Sequence, residues 1–161
     1  MSHYQFTTRW RLTAPLSAVW TTLIEVERWP QWWRGVLSVQ QLRAGDSEGL
    51  GAIYRQVWRS RLPYRLVFEV ETVCVERERL IEGRARGELD GRGVWRLNAQ
   101  EQATVVCYEW SVGTTRPWMN LLGPIARPVF AWNHHVVMGW GARGMARRLG
   151  VELIALEHVG V

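Results

Sequence analysis

The feature that most constrains this 161-residue sequence is a change of hydrophobic period. Up to Thr115 apolar residues recur mainly at every second position; beyond it they recur at helical spacing through one unbroken stretch over residues 129–149. A period of two marks strands with one buried face, and such a sheet needs a cover. The only segment long enough is the final helix, which spans about 30 Å at roughly 1.5 Å per residue. The expected product is a single α+β domain whose curved antiparallel sheet wraps one long C-terminal helix.

The first strand alternates Tyr4, Phe6, Thr8, Trp10 and Leu12 against Gln5, Thr7, Arg9 and Arg11, so its aromatic set faces in. Pro15 opens a helix carrying Leu16, Val19, Trp20, Leu23 and Ile24 at i, i+3, i+4 spacing. Trp29-Pro30 is expected to close it, because the residue before proline avoids the helical region, and residues 31–34 to form a second short turn. Further strands are expected over 36–42, 54–59, 64–72, 80–89, 93–97 and 104–114, about seven in all, with Asp90-Gly91 as a turn. Residues 151–161 read as a C-terminal tail outside a domain of residues 1–150, which no repeat, linker or change of composition divides.

The charge of +5 and the pI near 10.0 raise the question of an anionic partner. The basic residues are all arginine and are interleaved with glutamate along strands, as in Glu82, Arg84, Arg86 and Glu88, which is how a solvated sheet face reads. Nucleic acid is therefore not the expected partner, although an interaction module using that face stays open as an alternative. Cys74 and Cys107 lack CxxC spacing and read as reduced thiols. No segment approaches the ~18 apolar residues of a membrane span, and no early stretch reads as a secretory leader, so a cytoplasmic protein is expected. Monomer and homodimer both remain open.

Eleven tryptophans are many for a chain of this size. Each buries on the order of 150–250 Å², so something here uses large rigid apolar walls. Inward positions mix Trp58, Tyr64, Phe68, Trp95, Tyr108 and Trp110 with Gly83, Ala85, Gly87 and Gly93. Either these gaps leave a cavity, or the glycines only let the sheet curl. Tyr54 and Gln56 share the face of Trp58, and Trp33 follows the first helix.

In the final helix Phe130, His134, Val137, Met138, Gly141 and Met145 fall on one arc at 100° per residue. Gly139, Gly141 and Gly144 interrupt it at about 1 kcal/mol each, which calls for a packing reason, a ligand or a bend. They spell G-x-G-x-x-G, but that dinucleotide motif needs a preceding strand and turn, and here it lies within a helix. His134 and His135 diverge by about 100° and cannot share a metal as an i, i+4 pair could. No metal or cofactor is expected. Nucleophile-elbow and P-loop motifs are missing.

The candidate ligand-binding set is thus Trp33, Tyr54, Gln56, Trp58, Tyr64, Phe68, Gly83, Ala85, Trp95, Tyr108, Trp110, Phe130, His134, Val137, Met138 and Gly141. Gln56, Tyr64, Tyr108 and His134 are its few polar groups, as in small-molecule pockets. His134 with Tyr64 or Tyr108 could move protons in such a pocket, or each could be satisfied by a neighbour within the protein.

Trp29-Pro30-Gln31-Trp32-Trp33, Leu62-Pro63-Tyr64, Pro117-Trp118-Met119 and Trp132-Asn133-His134 together resemble the START-like (SRPBCC) superfamily, in its bacterial polyketide cyclase/dehydrase and lipid-transport branch. The likeness extends from Tyr4 to Leu149. It implies the helix-grip fold and a deep hydrophobic cavity between sheet and helix, used in relatives for lipids, sterols, polyketides or quinones. Binding or carriage of a small hydrophobic ligand follows as the expected function, with an aromatase/cyclase-type enzyme as the alternative. No universal catalytic residues carry over.

Overall fold

The computed structural model describes residues 3–159. Eight strands form one antiparallel sheet: β1 (His3–Leu12), β2 (Val36–Arg43), β3 (Ile53–Arg59), β4 (Arg65–Glu76), β5 (Leu80–Gly87), β6 (Leu89–Gln100), β7 (Ala103–Thr114) and β8 (Leu153–Val159). β2 to β7 run as a meander, β1 pairs with β7, and β8 pairs with the free side of β1. Helix α1 (Leu16–Ile24) and a 3₁₀ turn (Val26–Gln31) follow β1, while a short α2 (Pro117–Leu121) leads into the long α3 (Gly123–Leu149). The sheet curls around α3, which is the helix-grip arrangement.

Within the stretch expected as a tail, Leu153–Val159 is a strand, and residues 160–161 lie outside the described residues. Gly150 ends α3 in the left-handed conformation at φ 65°, the chain reverses, and the Thr13 N–H donates to the Glu152 carbonyl at 3.0 Å. Leu153, Ile154, Ala155 and Leu156 follow one another without alternation, and the register with β1 shifts between Arg11 and Leu12, so periodicity does not reveal this pairing.

Other boundaries also move. Trp29-Pro30 lies inside the 3₁₀ turn, α1 already having ended at Ile24, and that turn replaces the one expected over 31–34. The turn between β5 and β6 falls at Gly87 and Glu88, with Gly87 at φ 117°. Gly91 lies within β6, where a Cβ would stand 2.1 Å from the Ser111 carbonyl oxygen, so its role is close approach of β7. α3 starts at Gly123, with Pro124 in its first turn, where no N–H is needed, and Pro128 inside it, at the loss of one backbone bond.

The core is built on tryptophan. Trp33 contacts Trp10 at 5.7 Å, Trp29 at 5.1 Å, Trp32 at 5.4 Å, Trp58 at 5.0 Å and Trp95 at 6.0 Å between ring centroids. Its indole N–H donates to the Val137 carbonyl in α3 at 2.9 Å. The helix glycines belong to this cluster: a Cβ on Gly141 would lie 2.5 Å from the Trp33 ring, and one on Gly144 would lie 1.9 Å from the Trp32 carbonyl oxygen. Their helix-propensity cost is offset by seating α3 directly on the tryptophans. On the outer face, arginine and glutamate pair across strands, as in Arg92 with Glu82 at 2.7 Å and Arg96 with Glu109 at 3.3 Å.

Candidate functional site

Between the inner face of the sheet and the N-terminal half of α3 lies a cavity of about 220 Å³. β3 and β4 supply Tyr54, Gln56, Trp58 and Phe68, with Tyr64 from the loop before β4; Gly83 comes from β5 and Trp95 from β6. β7 supplies Tyr108 and Trp110, α3 supplies Phe130, His134, Val137 and Met138, and Trp33 forms part of the wall beside the tryptophan cluster. The exposed Ile24, Glu48 and Arg59 are among the lining residues where the cavity meets the surface.

Two of the sixteen candidates lie elsewhere. Ala85 does face inward, but it is fully buried in a packed cluster with Phe68 and Leu89. Gly141 sits on α3 where the Trp33 ring fills the space a side chain would need. Alternation and helical phase place a residue on a face, but not over the part of that face left open.

The sheet glycines do not hollow out the cavity by themselves. A Cβ at Gly93 would stand 2.5 Å from the Tyr108 hydroxyl and 2.8 Å from the Trp110 ring, and one at Gly83 would stand 2.6 Å from Val70 Cγ1. Tyr108 stacks on Trp95 at 4.0 Å and on Trp110 at 5.8 Å, forming a stacked row of rings along the sheet. The cavity lies beside the tryptophan cluster on which α3 is seated, with the stacked row of Trp95, Tyr108 and Trp110 along the sheet.

Three polar atoms at this end make no hydrogen bond among the described residues although they are buried: Tyr4 Oη, Asn133 Oδ1 and His134 Nε2. All three residues line the cavity. Tyr4 meets Phe130 edge-on at 5.3 Å, and the His134 ring stacks on Phe6 at 4.4 Å, so aromatic packing holds both in place. Leaving such groups unpaired costs about 1–3 kcal/mol each, so a ligand group that bonded them would be stabilised at this wall. Tyr4 was readable as inward-facing, but neither it nor Asn133 stands out in the sequence as a binding group.

The other polar groups are satisfied or neutral. Gln56 Oε1 accepts from the Trp58 indole N–H at 2.9 Å, and the Thr114 hydroxyl donates to Asn120 Oδ1 at 2.7 Å. Burial, followed by the fields of His135 and His158, lowers the His134 pKa to about 3. Burial pushes Tyr64 up to about 12, against the opposing pull of Arg116, and raises Tyr108 as well. Apart from Glu48 and Arg59 at the mouth, the groups named here are uncharged donors and acceptors at neutral pH. Among the described residues no group of three or more His, Cys, Asp or Glu could hold a metal ion.

A family model described as polyketide cyclase/dehydrase and lipid transport matches residues 12–136. Among solved structures, the Zhui aromatase/cyclase from Streptomyces sp. R1128 superposes with a TM-score of 0.73 at 14% identity, over 92% of this chain and 94% of that one. A START superfamily protein from Mycobacterium smegmatis gives 0.75 at 11% identity over 92% and 98% of the two chains. A conserved protein from Geobacillus kaustophilus gives 0.75 at 11% identity over 98% and 100%. At these identities the likeness is one of fold. No curated protein matches the sequence.

Proposed function

The chain belongs to the polyketide cyclase/dehydrase and lipid-transport family, and from that premise we propose that it binds and carries a small, uncharged, mainly apolar ligand bearing one oxygen-containing end. The observation that carries this reading is the cavity itself, aromatic and aliphatic along its length, with the unpaired Tyr4, Asn133 and His134 atoms gathered at one wall. A hydroxyl or carbonyl would meet these neutral groups, whereas a carboxylate placed against Tyr4, Asn133 and His134 would lie at a wall with no cation to replace its hydration, Arg59 being at the exposed mouth. The test is a panel of long-chain alcohols, sterols, quinones, aromatic polyketides and fatty acids, read by tryptophan fluorescence. Saturable binding near micromolar concentration, with neutral ligands preferred over carboxylates, is the expected result. Silence from a folded protein across the panel overturns it.

The second reading, an aromatase/cyclase-type reaction, draws on the family description and on His134, Tyr64 and Tyr108 sharing the cavity wall. Carriage is favoured because burial moves all three pKa values away from neutrality, opposite to what a proton-moving group needs. Turnover of a polyketide-like substrate that is lost in both His134→Ala and Tyr108→Phe would establish the second reading instead.

A further inference from the structure

The outer side of the same segment carries a second feature that ligand binding leaves unused. Residues 111–151 contain five arginines and no acidic residue, while the rest of the chain holds fifteen arginines against fifteen acids. The net charge of +5 therefore belongs entirely to the segment that forms α2 and α3. Trp118, Leu121, Leu122, Ile125, Val129 and Trp132 recur along its first half at three- and four-residue spacing, and all are exposed. Leu121 is 88% and Ile125 80% accessible. On the opposite side Met119, Phe130 and Asn133 line the cavity, so this stretch is apolar both inward and outward.

Arginines border the stripe. Arg116 pairs with Glu88 and donates to the Arg65 carbonyl at 3.1 Å, while Arg127 lies over the Tyr4 ring at 5.9 Å. Arg61 in the adjoining loop and Arg65 at the start of β4 are exposed, and Tyr64 between them meets Trp118 edge-on at 5.1 Å. Exposed aliphatic residues, two tryptophans and a surround of arginine make an interfacial surface: the apolar chains enter the acyl boundary, the indoles sit at headgroup level, and the guanidinium groups meet phosphate.

We propose that the α2–α3 stripe docks on an anionic lipid bilayer, setting the Tyr64–Met119–Phe130 end of the cavity against the membrane. A second copy of the chain is the poorer occupant, because a symmetric contact through residues 118–132 brings Arg127 against Arg127 with no acid in that stretch, and Glu88 beside it is already paired with Arg116. Docking extends the carriage reading by naming where the ligand is exchanged.

The test is co-sedimentation of the ligand-free protein with vesicles of phosphatidylcholine, alone or mixed with phosphatidylglycerol. Partitioning onto the mixed vesicles is expected to weaken with added salt and to fall at least about tenfold in Leu121→Asp and Ile125→Asp. Both side chains project into solvent, so the melting temperature and the affinity for a cavity ligand without vesicles stay unchanged in these variants. Failure of docking is thereby separated from failure of the cavity reading. Absence of partitioning onto mixed vesicles, or partitioning that the two aspartates leave intact, overturns the proposal. So does a dimer in sedimentation velocity that the aspartates dissociate, or an acidic protein that competes for the stripe while vesicles do not bind it.

Discussion

The two halves of α3 face the same sheet and do opposite things with it. Toward the C-terminal end, Gly141 and Gly144 leave no side chain between helix and indoles, and Trp33 and Trp32 press against the backbone so closely that a methyl group at Gly144 would collide with a carbonyl. Further toward the N-terminus, the bulky Phe130, His134 and Val137 line the cavity together with the rings of Trp95, Tyr108 and Trp110. The first half of this contrast fixes the height of the helix, and the second half inherits the gap. A cavity here is a consequence of tight packing next door, and the same rigid indoles serve both as core filling and as one cavity wall.

If the tryptophan half sets the frame, damage there is costly and damage over the cavity is mild. Trp33→Ala is expected to lower stability by about 3–5 kcal/mol, and Gly144→Ala by about 1–3 kcal/mol through overpacking. Val137→Ala, over the open space, costs less than either, because its side chain already borders the cavity. Chemical denaturation of the three variants orders them; equal losses would erase the distinction between the halves.

Acid distinguishes the halves next, since His134 lies in the open one. Its folded pKa of about 3 lies below the ordinary 6.5, so between those pH values the unfolded chain binds a proton that the native chain refuses. Stability therefore falls as pH drops below 6.5, by about 1.4 kcal/mol per pH unit from this group, or about 2–3 kcal/mol by pH 4.5. His134→Phe is expected to flatten that part of the profile in denaturant titrations. An unchanged slope would mean that the imidazole is not held neutral by its surroundings. Tyr4→Phe should give the smallest effect: removing an unpaired hydroxyl raises the stability of the ligand-free protein by up to about 1 kcal/mol.

Much of this was legible in the sequence. The change from period two to helical spacing carried the sheet, the covering helix and the inward positions of Phe130, His134, Val137 and Met138. What periodicity could not carry was anything set by distant packing. Gly141 has the right helical phase for the cavity, but Trp33 occupies its place. Ala85 alternates correctly and is sealed beneath its neighbours. β8 lacks alternation, so only its pairing with β1 identifies it as a strand. Tyr4 and Asn133 became candidates only when their polar atoms proved to be without partners, which no local pattern encodes.

The most direct test of the central claim is the affinity of wild type, Tyr4→Phe and His134→Phe for a matched pair of ligands, a long-chain alcohol and the alkane of equal length. Wild type is expected to prefer the alcohol, each substitution to lower alcohol affinity by roughly tenfold, and alkane affinity to stay the same or rise. Equal binding of alcohol and alkane by wild type, or alcohol affinity unchanged in both variants, would contradict a polar subsite at this wall.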